Sequence, residues 1–125
     1  MLSPRLRTGF SWAARLFAAA ILGMAGSMKL AAAADPVALF TLLKAEPWGR
    51  VLVGSLEVLA TALLLWPRTA RYGGFLGFFL MLGAIGTHLF RIGIAYGGDP
   101  SLFVMACLVL VATAITIALN RNRSS

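Results

Sequence analysis

Residues Phe17–Pro36 read FAAAILGMAGSMKLAAAADP. Apolar and small residues run up to Lys29, alanine resumes after it, and the run stops at Asp35-Pro36. A helix crossing a bilayer core needs about 20 such residues. The stretch is therefore either a membrane span with a lysine near its end or the apolar part of a cleavable leader, and the choice decides how many spans the chain has.

Composition narrows the class. Of 125 residues, 60% are hydrophobic and 12% charged. A soluble domain of this length exposes too much surface to cover with so few charges, so an integral membrane protein is expected, with a single membrane domain over 1–125. The net charge of +7 does not point to nucleic acid, because the basic residues lie between apolar runs and not on a polar module. The single Cys107 cannot close an internal disulfide, and without a CxxC pair dithiol exchange is excluded. One histidine and no Cys/His cluster give no basis for a metal or haem site.

Four apolar runs carry the expected spans, at about 10–30, 48–66, 73–91 and 101–119. The breaks between them hold helix signals. Asp35-Pro36 and Asp99-Pro100 each read as an N-cap followed by proline at the first helical position. Glu46-Pro47 separates one segment from the next, Trp66-Pro67-Arg68 closes the second span with an aromatic and a basic anchor, and Gly97-Gly98 loosens the third connection. Val37–Lys44 is apolar but too short to span, and is expected as a short helical piece at the interface, with Trp48 at headgroup depth. The fold class is thus an all-α four-transmembrane-helix bundle.

Charge sets the expected orientation. With both termini cytoplasmic, the inner side holds Arg5, Arg7, Arg15, Arg68, Arg71, Arg121 and Arg123, leaving Lys29, Lys44, Arg50 and Arg91 for the outer half. That asymmetry follows the positive-inside rule. The leader reading has a basic start, MLSPRLR, and a small-residue stretch, AAAAD, in its favour. Against it, the apolar run exceeds a usual leader core and Lys29 falls where that core is neutral. Four spans with both ends inside is the better expectation.

Ionisable groups inside spans are the candidate site. Glu57 lies nine residues from both Trp48 and Trp66, near mid-bilayer at about 1.5 Å per residue. Gly54 and Thr61 share its face, as at a packed interface or a cavity wall. Alternating spans place Lys29, Arg50, His88 and Arg91 in the outer half, so one polar cluster opening outward with Glu57 as its floor is expected. Plainer readings compete for each residue. Lys29 would snorkel, Arg50 and Arg91 would anchor at the interface, and His88 would bond a neighbouring helix. Glu57 would form a structural ion pair, or as a neutral carboxyl bond Thr61 or another helix. Cys107 reads as a small buried hydrophobe, and Thr113 and Thr116 as back-bonded to their own helix.

The segments RLFAAAILGMAGSMKL, GRVLVGSLEVLATALLLWPRTARYGG and FLMLGAIGTHLFR together resemble the DoxX family of small four-span membrane proteins. That family's pattern has an arginine opening the first helix, G-x-x-K-L near its end, a G-x-x-E-L type motif in the second helix followed by an apolar run and a proline, and often a late histidine in the third. Here these fall on Arg15, Gly26–Leu30, Gly54–Glu57 with Val58 in place of the common leucine, and His88. The resemblance covers about residues 11–119. It implies a four-helix membrane bundle in a bacterial inner membrane and association with redox systems, since the family is similar to the membrane subunit of thiosulfate:quinone oxidoreductase.

Three functions follow as expectations. The first is an accessory subunit of a quinone-linked redox system, with other membrane or redox proteins as partners. Lys29, His88 and Arg91 would hold a quinone oxygen or an anionic group, and Glu57 would exchange the proton. The second is a structural or assembly subunit of a larger membrane complex, its small-residue faces serving helix docking. The third is a small transporter, disfavoured because four-span exporters carry their acid in the first helix, where this chain has Lys29.

Overall fold

The computed structural model describes residues 3–95 and 98–120. Gly97 of the third connection, and Arg121 and Arg123 of the expected inner charge, lie outside the described residues. All regular structure among the described residues is helical. The elements are α1 (Pro4–Leu30), α2 (Ala34–Leu42), α3 (Trp48–Leu65), α4 (Ala70–Thr87) continued by a π turn (His88–Ile92), and α5 (Ser101–Asn120). α1, α3, α4 with its π turn, and α5 are each long and apolar enough to cross a membrane. This is the architecture of a multi-pass membrane protein.

Local chemistry explains most of the boundaries. α1 starts earlier than the apolar run because Ser3 accepts the Leu6 N–H at 3.2 Å and Pro4 supplies the first helical position. At its other end the Ala33 N–H reaches the Met28 carbonyl and the Ala32 N–H reaches that of Lys29, at 3.0 and 3.2 Å. Ala32 takes a φ of 57° to make this turn. α2 ends in the same motif with Lys44 at φ 61°. In both, a residue with a Cβ occupies a left-handed position that usually goes to glycine. At Asp99-Pro100 the carboxylate accepts the Ser101 N–H at 2.9 Å and its hydroxyl at 2.6 Å, a capping bond at the start of α5, although the helix begins at Ser101, one residue after the expected Pro100. These bonds hold the Asp99 carboxyl below its ordinary range. At Asp35-Pro36 the expectation is corrected: α2 begins two residues earlier, Ala33 takes the N-cap position without a side-chain bond, and Asp35 lies inside the first turn. A carboxylate there still faces the positive end of the helix dipole.

α1 packs along α3 and α5, and α4 packs along the other sides of the same two helices, so α1 and α4 face each other across the diagonal. Small residues set the closeness. A Cβ on Gly23 would meet Thr61 at 3.3 Å, and one on Gly77 would meet Thr113 at 2.9 Å and Leu22 at 3.1 Å. The buried core includes Ala18, Leu22, Ala60, Leu64, Val109 and Ala112. Thr113 and Thr116, also fully buried, donate to the carbonyls of Val109 and Ala112 at 2.9 Å, which satisfies them within α5. Outward faces carry leucine, valine and phenylalanine, Phe79 and Phe90 among them. In water such a surface would drive aggregation; against lipid it is the expected finish. Cys107 is half-buried, less enclosed than its sequence context suggests.

Candidate functional site: an ion pair between α1 and α3

α1 and α3 run antiparallel and touch through glycine. A Cβ on Gly26 would stand 2.9 Å from the Gly54 carbonyl oxygen, and one on Gly54 would stand 2.9 Å from the Lys29 Cβ. Side chains lean toward the N-terminus of their own helix. Lys29, near the C-terminal end of α1, therefore leans back toward mid-bundle, while Glu57 leans toward the end from which α3 starts. The two converge, with Lys29 Nζ 3.0 Å from Glu57 Oε1. Oε1 is buried and has no donor at hydrogen-bond angles, so the contact is charge on charge. Burial is unequal: 17% of the Lys29 side chain is exposed against 5% of that of Glu57. The carboxylate is sealed and the ammonium reaches the edge of the bundle.

Thr61 does not serve the carboxylate. Its hydroxyl donates to the Glu57 backbone carbonyl at 2.9 Å and lies 3.5 Å from that of Ala19. The expectation of a Thr61 bond to a neutral carboxyl is corrected, because a threonine one turn along a helix finds the i−4 carbonyl first.

Arg50 stands beside this pair. Its guanidinium forks onto Glu46, with Nε to Oε1 at 2.7 Å and Nη2 to Oε2 at 2.9 Å, and Nη1 donates to the Lys29 carbonyl. That carbonyl belongs to the last turn of α1, where it otherwise receives only the turn N–H of Ala32 at 3.2 Å. Arg50 thus ties the α2–α3 connection and the end of α1 to the first turn of α3. The Arg50 hydrogen bonds hold the Glu46 carboxyl below its ordinary value of 4.5. A group depressed in the folded state adds stability above its unfolded pKa and loses it as pH falls through the folded one. Thermal unfolding of wild type and Glu46→Gln should therefore differ at neutral pH and converge well below pH 4.5. A constant difference across that range would refute the clamp.

The remaining candidates stand apart. His88 is buried on the π turn; its Nδ1–H donates to the Ala84 carbonyl at 2.9 Å and its ring packs edge-on to Phe103 of α5 at 5.7 Å. A carbonyl only accepts, so Nδ1 carries a proton, and the buried Nε2 has no hydrogen-bond partner among the described residues. Arg91 is exposed and makes no ion pair or hydrogen bond among the described residues. The structure brings Lys29, Glu57 and Arg50 together, sets His88 against α5, and leaves Arg91 outside.

A second polar group, at the opposite end of the bundle, was not legible as a unit. Arg15 is fully buried. Its Nε donates to the Leu64 carbonyl at 2.7 Å, and its guanidinium carbon lies 3.7 Å from the centre of the Trp12 ring. It caps the C-terminal end of α3, where a cation also meets the negative end of the dipole. Beside it the Asn120 amide donates to Ser11 at 2.7 Å and to the Thr116 carbonyl at 2.8 Å. Charge counting placed Arg15 simply among the inner arginines. The available signal was an arginine within an apolar run three residues after a tryptophan. Glu46 had a clearer one, its i,i+4 spacing to Arg50.

No family model matches this chain, and neither does any curated protein or solved structure.

Proposed function

We propose that this chain is an accessory membrane subunit of a quinone-linked redox system, of the DoxX-like kind its motifs resemble. In this reading it lies in a bacterial inner membrane with both termini cytoplasmic and α2 at the outer interface, and electrons come from a partner subunit. The observation that carries the reading is the Lys29–Glu57 pair. Burying two charges costs several kcal/mol per ion before their attraction repays it, so such a pair is a poor device for holding helices together. The glycine contacts between α1 and α3 already do that. A sealed carboxylate beside an ammonium at the bundle edge is suited to another task. Lys29 can donate to a quinone oxygen, and Glu57 can pass or receive the proton that quinone chemistry moves.

Glu57→Gln keeps the shape and removes the exchangeable proton. Quinone reduction in native membranes should fall by about a hundredfold or more, with the variant still extracted as a folded protein. Wild-type turnover in this variant would sink the proposal. A second reading, a structural subunit of a larger membrane complex, has its own support in Arg50, whose donors go to Glu46 and the Lys29 carbonyl and so serve packing. Under that reading the same substitution leaves any turnover intact and reduces the partners that co-purify in mild detergent.

A further inference from the structure

A concavity of the bundle lies away from the ion pair. It is a groove of about 540 Å³ between the N-terminal half of α1 and the C-terminal half of α5. Ala14 and Ala112 form its floor, and Phe10, Phe17, Leu108 and Ile115 are among its walls. It exists because alanines on both helices leave a trough between larger neighbours. It runs for about 10 Å along α1 and about 16 Å along α5 at 1.5 Å per residue. Its lining is apolar throughout.

One end of the groove meets a concentration of positive charge. Phe10 is one turn from Arg7, on the same side of α1. Arg5 and Arg7 are exposed in the opening turns of α1, and the first turn holds no acid. That departs from helix design, because the N-terminal end of a helix is already positive and favours carboxylates. All four acids of the chain, Asp35, Glu46, Glu57 and Asp99, lie elsewhere. The groove is therefore continuous with a cationic helix end that has no internal counter-ion among the described residues.

We propose that this groove holds one acyl chain of an acidic phospholipid, with the phosphodiester at the N-terminal end of α1 beside Arg5 and Arg7. The apolar trough accounts for the tail. The two arginines and the helix end account for the anionic head. A neutral lipid would fill the trough and leave the charge uncompensated. A second copy of this chain would bring its own arginines to the same place.

The test is native mass spectrometry of the full chain, released from vesicles of equal parts phosphatidylglycerol and phosphatidylcholine with identical acyl chains. Wild type should retain one phosphatidylglycerol in preference to phosphatidylcholine, and less of it as salt rises. Arg5→Gln with Arg7→Gln, both exposed, should lower phosphatidylglycerol retention by about thirtyfold, the product expected for two surface arginines, and leave phosphatidylcholine unchanged. Ala118→Phe fills the trough from an exposed position and should reduce retention of both lipids. Equal retention of the two lipids by wild type, or no response to the arginine pair, overturns the proposal. So does a dimer that dissociates in Ala118→Phe, which would make the groove a contact between copies.

Discussion

Lys29→Met is expected to destabilise the bundle by about 3–5 kcal/mol, the cost of leaving a buried charge without its partner. Glu57 has no other cation within ion-pair distance among the described residues and cannot turn outward, being 4% exposed in the middle of α3. Glu57→Gln should cost much less, because the ammonium left behind is already partly exposed and a lysine stem can carry it to the interface. This asymmetry makes Glu57→Gln the usable functional variant and Lys29→Met the energetic probe. The double change Lys29→Met with Glu57→Leu should recover most of the loss or exceed wild type, since an apolar pair of similar volume avoids desolvation altogether. Denaturant unfolding in detergent micelles, read as a double-mutant cycle, gives the coupling directly. Little effect from Lys29→Met would show that the pair contributes no net energy, and would weaken the argument that its retention reflects function.

Gly73→Val should be the most damaging change to packing. A Cβ at Gly73 would lie 2.6 Å from the Leu64 nitrogen and 2.9 Å from both the Leu63 carbonyl carbon and its Cβ. Two of these are backbone atoms, which cannot rotate away. The connection from Leu65 to Ala70 is only four residues long, so α4 cannot back off without pulling on the end of α3, where Arg15 binds the Leu64 carbonyl. Overpacking of this kind costs about 1–3 kcal/mol and occasionally more; contact with backbone puts Gly73→Val at or beyond the upper end. Gly83→Ala, on the same helix, is the control. Its Cβ would meet nothing within 4 Å, and replacing a helical glycine by alanine favours the helix by up to about 1 kcal/mol. The thermal midpoint should fall sharply for the first and hold or rise for the second. Equal responses would mean that α4 does not sit against the end of α3 as described.

Much of the architecture is legible in the sequence. Run length and composition located four helices, because crossing a bilayer constrains each segment separately and every residue contributes independently of its distant neighbours. The cap at Asp99 was readable for the same reason, as it involves only residues two apart. The cap at Asp35 was misplaced by two residues, since the run of alanines before it gives the helix no sharp place to start. Gly54 and Glu57 on one face pointed to a packed surface, and that surface meets α1.

The grouping of side chains across helices was another matter. Lys29, Glu57, Arg50, His88 and Arg91 were assembled by depth alone. Depth follows from position along a span, but contact also needs the rotation of each helix about its axis. His88 and Arg91 show the difference. Three residues apart in an α-helix, they would share a side; the π turn that carries both changes the winding between them, burying one and exposing the other. Arg15 shows it again, counted among the inner arginines by its place in the chain and buried as a helix cap by its place in the bundle. The chain alone determined that there are four apolar helices and where along each of them the charges fall, because these are properties of single segments. The tertiary structure alone decided which charges meet, because that depends on the antiparallel register of α1 against α3, set by glycine contacts between residues far apart in sequence.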